Sequence, residues 1–528
     1  MVILIVILNI VVRTSKGTSV PHLRRAPLFA ALFAAALAAP GAVGASTPDG
    51  ERVCPGLNRP DGDGEGTPHD ASACPPRLAF EELGVQVEPA PRSGGVLPQG
   101  PGAAPSARPG ADAVASSPWW TAALQSTYVW QRKLAFDAPY SGPKSLTTSA
   151  ENGYTLTATL FVGARPWPGG ELFVNPEIIQ SQELSELHGL AGLSNGEAQK
   201  SGGPTATLYR ARAFLRQTFA LGGEESPVET APNQLGGAVA SRRLVLTVGN
   251  FSYADVFDGS SYAHDPRTQF LNWSLMAYGA SDYAADVRGY TLGIALEYYL
   301  DDWAFRIGRF AVPRQSNGLA LDLDLLAHHG DAIEVEHAHV LFGLPGKLRA
   351  LGFRNYARMG GFRDAIGYAA TVGGTPDVAN VRRDQAKLGF GAGFEQNVLS
   401  DVALFGRFSV NDGRTETYEF TEIERSLTMG ASMKGARWSR SGDTLGVAWV
   451  QNELSADHRA YVTADGAGLF IGDGAIRYRP ERILEAYYSL AAFKGFWVTL
   501  DAQRVANPAY NADRGPVNIV GCRFHAEY

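Results

Sequence analysis

Charge is scarce in this chain. Asp, Glu, Lys and Arg make up 19% of its 528 residues and leave a net charge of -7 at pH 7. So mild a balance supplies neither a basic surface for nucleic acid nor an acidic tail. Methionine is rare too, at five residues, and with frequent Thr and Val this leans away from a helical protein. Past Ala45 no run of eighteen apolar residues occurs, which excludes a transmembrane helix there. Of three cysteines, Cys54 and Cys74 either pair or remain two thiols, and Cys522 is left over. What the chain holds in quantity is glycine, 60 residues, and aromatics, with 20 Tyr, 25 Phe and 9 Trp.

Residues 1–45 read as an export signal. His22, Arg24 and Arg25 precede an apolar run from Leu28 to Ala39, then Pro40 and AVGAS, with Val43 and Ala45 placed for cleavage after Ala45. The leading MVILIVILNIVV carries no charge and is too short to span a bilayer, so translation is expected to begin near Val20. Residues 46–118 are crowded with Pro, Gly, Ala and Asp and read as a largely disordered periplasmic arm. An exported chain without apolar helices is either soluble or a barrel.

From Thr121 the texture changes to segments of roughly ten residues with period-two alternation, the length a tilted strand needs to cross an outer membrane. In YTLTATLFV, Tyr154, Leu156, Ala158, Leu160 and Val162 fall on one face and Thr155, Thr157 and Thr159 on the other. Strands are expected near 121–131, 154–163, 171–180, 207–219, 242–250, 288–300, 303–311 and 331–342, then near 346–356, 385–397, 401–411, 425–436, 443–452, 480–492, 496–505 and 517–528. Every second connection is short, as in ARPWPGG, DD, GLPG, ARWSRS and FKG; the exception, Ala220 to Ser241, has room for a periplasmic excursion. The others are long, the longest from Phe251 to Val287. Residues 119–528 are therefore expected to form an all-β, transmembrane, antiparallel up-and-down β-barrel of about sixteen strands, with short periplasmic turns and long external loops.

The faces agree. Outward candidates are Tyr290, Leu292, Ile294, Leu296 and Tyr298, then Leu388, Phe390, Ala392 and Phe394, then Leu484, Ala486, Tyr488 and Leu490. A soluble sandwich would also alternate, but its apolar face would point to a core. Aromatics at the expected membrane edges, Trp119, Trp120, Trp303, Phe496 and Tyr528, favour lipid. In the last strand Val520, Cys522, Phe524, Ala526 and Tyr528 should meet lipid, Arg523, His525 and Glu527 the lumen, and Ile519 is an apolar residue turned inward.

The stretch AHDPRTQFLNWSLMAYGASDYAADVRGYTLGIALEYYLDDWAFRIGRF, then TETYEFTEIERSL and the ending NPAYNADRGPVNIVGCRFHAEY, resemble the carbohydrate-selective outer-membrane porin family often called OprB. The resemblance covers roughly 125–528 and implies a sixteen-stranded barrel in a Gram-negative outer membrane that passes mono- and small oligosaccharides down their gradient. It also implies that the aromatic-ended last strand, through Phe524 and Tyr528, is the signal read by the assembly machinery. Expected partners are permeating sugars, outer-membrane lipids and lipopolysaccharide, and that machinery; nucleic acid and cofactors are not expected, and monomer and homotrimer both stay open. A less selective diffusion porin is the alternative, and an outer-membrane hydrolase a more distant one.

A sugar presents hydroxyls at its edges and C–H faces, so a selective channel needs aromatic faces and charged or amide groups. YRARAFLRQTF is read with Arg210, Arg212 and Arg216 all facing the lumen, opposite Tyr209, Ala211, Ala213 and Leu215, either as a selectivity ladder or as a salt-bridge network. Glu297 and Arg306 are further lumen candidates. The long loop adds Tyr253, Asp255, Asp265, Arg267 and Trp273, and is expected to fold into the pore as a constriction rather than pack outside on its own aromatics.

Three motifs are weaker. GLSNG, around Ser194, has the nucleophile-elbow pattern without the strand and helix the elbow needs. GFGAGF reads as Gly389, Gly391 and Gly393 on one strand face, small residues where backbone or a loop comes close, rather than as a dinucleotide site. HHGDAIEVEHAH tempts as a metal site, but in a strand His337 and His339 share one face and Glu334 and Glu336 the other, so polar lining or strand-end solvation is preferred.

Overall fold

The Thr-rich and apolar faces of YTLTATLFV become the two sides of one strand: Thr155, Thr157 and Thr159 are buried inside, while Leu160 and Val162 are exposed outside. A computed structural model describes residues 118–528 apart from 201, 202, 421 and 475. The expected export signal, the arm and the Cys54–Cys74 pairing lie outside the described residues.

The same alternation builds β1 (Trp120–Lys133), β2 (Glu151–Trp167), β3 (Gly170–Gln182), β4 (Thr207–Val228), β5 (Gly237–Phe251), β6 (Thr291–Leu300), β7 (Trp303–Phe310) and β8 (His329–Leu341). It continues through β9 (Leu344–Met359), β10 (Arg383–Leu399), β11 (Val402–Asn411), β12 (Arg425–Lys434), β13 (Thr444–Glu453), β14 (Glu481–Phe493), β15 (Phe496–Ala506) and β16 (Val517–Glu527). Each strand pairs antiparallel with its sequence neighbours, and β16 pairs with β1 from Gln125↔Glu527 to Lys133↔Ile519, so the sheet closes. The closing seam is tied at its end by Leu124 and Tyr528, whose backbone groups exchange bonds of 2.9 and 2.8 Å. No helix among the described residues is long and apolar enough to cross a membrane.

All sixteen expected strands are present. The long exception between β4 and β5 is explained by a hairpin that outruns the barrel, paired as far as Val228↔Gly237 with register shifts near Gly222. Its turn folds back onto the inner wall: Leu235 is buried in one apolar cluster with Phe173 and Phe214, and the Asn233 carbonyl accepts from Arg216 at 2.8 Å. One outward assignment needs correction. Tyr290 precedes β6 instead of beginning it, and is buried in the interior beside Tyr209 and the Arg212 guanidinium.

The remaining outward residues stand where alternation puts them. Leu296, Tyr298, Leu388, Phe390, Phe394, Leu484, Val520 and Phe524 are exposed, whereas Glu297, Lys387, Glu395, Glu485, Arg523 and His525 are buried on the inner side. Ile519 is fully buried inside. Trp119, Trp120, Trp303 and Tyr528, with Phe342 and Phe493 at two turns, are exposed at the short-turn end and form an aromatic girdle. Phe496 is half-buried and stacks on Phe493 at 4.8 Å.

Leu500, 63% exposed at the middle of β15, tests the lipid-facing assignment. Leu500→Arg is expected to cost about 2–4 kcal/mol in folding into liposomes, read from denaturant titration; an unchanged midpoint would place that face elsewhere.

Candidate functional site

The connection from β5 to β6, residues 252–290, does not stay outside. Its backbone bonds to inward side chains of strands far around the barrel. The Asp258 N–H donates to Glu334 of β8 (2.8 Å), Ser261 to Glu395 of β10 (2.9 Å) and Asn272 to Glu485 of β14 (3.0 Å). From β16, Arg523 donates to the carbonyls of Pro266 and Gln269 at 2.9 and 2.6 Å. From β10, Lys387 grips Asp282 at 2.9 Å. A loop of peptide groups is thus pinned across the lumen by charged groups that only the inward phase of a strand can supply.

Two glycines make room for it. A Cβ on Gly391 would lie 2.9 Å from the Tyr278 ring, and one on Gly393 would lie 2.9 Å from its hydroxyl. GFGAGF is therefore a close-approach surface for this loop, as its spacing suggested.

On the wall itself the charges run from strand to strand. Arg306 of β7 lies between Glu297 of β6 (3.3 Å) and Glu334 (2.7 Å) and Glu336 (3.6 Å) of β8. Arg349 of β9 bonds Glu336 and, at 2.7 Å, Glu395 of β10. Arg407 of β11 then holds loop Asp258 at 2.9 Å. Stripping one partner from such a buried pair costs about 3–5 kcal/mol, because the other charge is left unmatched.

The three arginines of YRARAFLRQTF do not share a face. A bulge sets Asn175 opposite Arg212 but the next residue, Pro176, opposite Arg210, so Ala211 is the extra residue and the phase flips. Arg210 therefore stands on the exposed side with Leu208 and is not pore-lining. Tyr209 turns inward and donates to Glu177. Arg212 and Arg216 do face the lumen: Arg212 forms a two-pronged bond to Asp255, both distances 2.7 Å, and Arg216 sits 3.6 Å from Glu171.

The loop candidates divide likewise. Arg267 is buried against Glu177 (2.8 Å) and Glu197 (2.9 Å), fastening the loop to β3 and to the 183–206 connection. Asp265 accepts from the Arg267 N–H at 2.9 Å and holds its own turn. Trp273 and Tyr253, expected to offer faces to sugar, are only 2% and 3% exposed. Trp273 lies 6.4 and 5.8 Å from Tyr283 and Phe420, and Tyr253 lies 5.1 and 4.8 Å from Tyr283 and Phe257. Their faces are spent on loop packing, so both are corrected to core residues. Arg349, Arg407, Glu177 and Glu197 were not singled out from sequence; for the two arginines, inward strand phase was the available signal.

Ser194 of GLSNG has its hydroxyl donated to Gln131 at 3.1 Å and lines a cavity of about 20 Å³, little more than one water occupies. His337 stacks on Trp303 at 4.2 Å on the outer side, while Glu334 and Glu336 are buried inside, as the alternation requires.

Asp286, in the loop, accepts from the N–H groups of Arg288 (2.9 Å) and Tyr290 (3.1 Å), and burial pushes its carboxyl up to about 6. The folded state then holds a proton that the unfolded chain, titrating near about 4, releases. Stability should rise as pH falls from about 7 towards 4, and the Asp286→Asn protein should lack this component. Melting midpoints of the two proteins across that range check the sign. Separately, Gly391→Val is expected to displace Tyr278 and alter single-channel conductance without loss of the barrel's heat-modifiable gel mobility.

An apolar outer wall, an aromatic girdle and a charged interior crossed by a loop fit one solvent arrangement, hydrocarbon outside and water within. The class they define is the outer-membrane β-barrel channel. The profile of the carbohydrate-selective porin family, OprB, matches residues 144–528, and the chain belongs to that family. It is a passive outer-membrane channel for carbohydrates. Among solved structures, the high-pH structure of Pseudomonas putida OprB is similar at a TM-score of 0.60 and 15% identity, covering 78% of this chain and 94% of that one. The low-pH structure of the same protein gives 0.42 and 11%, covering 78% and 92%. OmpT of Vibrio cholerae in trimer form gives 0.41 and 10%, covering 78% and 99%. No match was found among curated protein sequences.

Proposed function

We propose that the chain conducts mono- and small oligosaccharides past the 252–290 loop, with Arg212, Asp255, Arg216 and Glu171 bonding sugar hydroxyls in turn. The observation that carries this reading is the pairing of the inward charges. Arg212 with Asp255, Arg216 with Glu171, and Arg306 and Arg349 among glutamates supply strong donors and acceptors with little net field. Such a surface suits a neutral polyhydroxylated solute better than an ion. Arg212 and Arg216 are the less buried of these guanidiniums.

Catalysis is no part of the proposal. Ser194 is bonded to Gln131 in a cavity too small for a lipid or glycan. Transport needs only a graded set of weak contacts.

Ion current through channels in planar bilayers, titrated with a panel of sugars and with amino acids of equal size, tests the reading. Sugars are expected to block, and Arg212→Ala to weaken the block about tenfold, the worth of a charge-assisted hydrogen bond. Channels whose current no sugar reduces would overturn it.

A further inference from the structure

The outward face of the barrel carries arginines at the long-loop end of many strands, and their cross-strand partners divide the rim into two sectors. On one side the residue directly opposite is an acid: Asp331 stands opposite Arg309, which it bonds at 2.7 Å, and opposite Arg354, Asp384 stands opposite Arg358, and Glu453 opposite Arg425 at 3.2 Å. On the other side, around the closing seam, the residue directly opposite is a neutral amide. Arg482 of β14 faces Gln451 of β13 and bonds it at 2.9 Å. Arg504 of β15 faces Asn518 of β16 at 3.2 Å, and Arg132 of β1 faces Asn152 of β2 at 3.3 Å.

Among the described residues none of these three has a carboxylate within ion-pair distance, and all three are exposed. Gln451 in turn donates to Glu453, which Arg425 engages, so the last acid of the rim is already occupied where the sector begins. Each of the three exposed guanidiniums is held by one amide oxygen. Adjacent strands lie about 4.8 Å apart, so the row Gln451, Arg482, Arg504, Asn518, Arg132, Asn152 spans six neighbouring strands as one positive band.

Below that band, towards the membrane middle, the same strands present Leu484, Leu500, Val520, Phe524, Leu124 and Leu160 to the outside. On β1, β2 and β16 that surface includes an aromatic patch in which Tyr128 stacks on Tyr154 at 6.0 Å and lies 6.5 Å from Phe524. Net positive charge at headgroup depth, planar forks suited to phosphate, and a wide apolar wall beneath complement one ligand chemistry.

We propose that the β13–β2 sector is a binding site for a phosphorylated, multiply acylated glycolipid of the outer leaflet, with Arg132, Arg482 and Arg504 holding its phosphates and the strands beneath packing its acyl chains. The amides matter because an acid in their place would neutralise the fork, as in the opposite sector. The site uses none of the lumen groups, so sugar conduction and lipid retention should separate.

The test uses the full chain refolded in detergent, with native mass spectrometry against diphosphoryl lipid A, its dephosphorylated form and inorganic phosphate. The parent protein should retain diphosphoryl lipid A, and R132Q/R482Q/R504Q should bind it about a hundredfold more weakly, each single substitution contributing about fivefold. Arg309→Gln, on the acid-paired side, should bind as the parent does, and sugar block of current should be unchanged in all. If the triple variant does not fold, judged by heat-modifiable mobility, the three single variants carry the comparison. Equal retention by parent and variants, equal binding of the dephosphorylated lipid, or displacement by millimolar inorganic phosphate would overturn the proposal. So would substitutions that dissociate an oligomer while leaving lipid binding intact, since the band would then be an interface between copies.

Discussion

A backbone that crosses hydrocarbon finds no water for its N–H and C=O groups, so every strand must have a partner on both sides. The pairing of β16 with β1 is the contact that meets this demand for the whole sheet. Once the sheet is closed there is an inside and an outside, and each residue's place in a two-residue period decides which solvent it meets. The apolar wall, the girdle and the inward charges all follow from that closure.

The second constraint is the handling of charge in a confined space. Lys387, Arg407, Arg523, Glu334, Glu395 and Glu485 are buried, a costly situation unless each finds a counter-charge or a peptide dipole. The 252–290 loop supplies much of the answer, through backbone N–H groups for Glu334, Glu395 and Glu485, carbonyls for Arg523, and the carboxylates of Asp258 and Asp282 for Arg407 and Lys387. Wall and loop are therefore mutually required: the wall would be unsatisfied without the loop, and the loop would have no reason to enter without the wall. What remains for a solute is a set of matched donors and acceptors rather than a one-signed field.

Strand number, order and facing were legible because period-two alternation over ten residues repeats sixteen times, and errors of a residue or two at an end do not alter a face. Tyr290 was misplaced at such an end, where a loop residue continues the apolar rhythm by accident. Arg210 was misplaced by the Ala211 bulge, which shows only in the register with β3. Trp273 and Tyr253 look alike whether a loop offers its rings to a ligand or stacks them on each other, and only tertiary packing tells the two apart. The glycine face of GFGAGF was readable because absent side chains need an occupant, and Tyr278 is that occupant.

On the proposed reading the lumen's many charges are cancelled in pairs, leaving a passage polar enough for sugar yet without a dominant sign. The zero-current potential of single channels across a tenfold potassium chloride gradient measures this directly. Paired charges should give a potential that is a small fraction of the ideal Nernst value, of either sign. A potential near the full Nernst value would mean that unpaired charge governs the pore, and would contradict that reading.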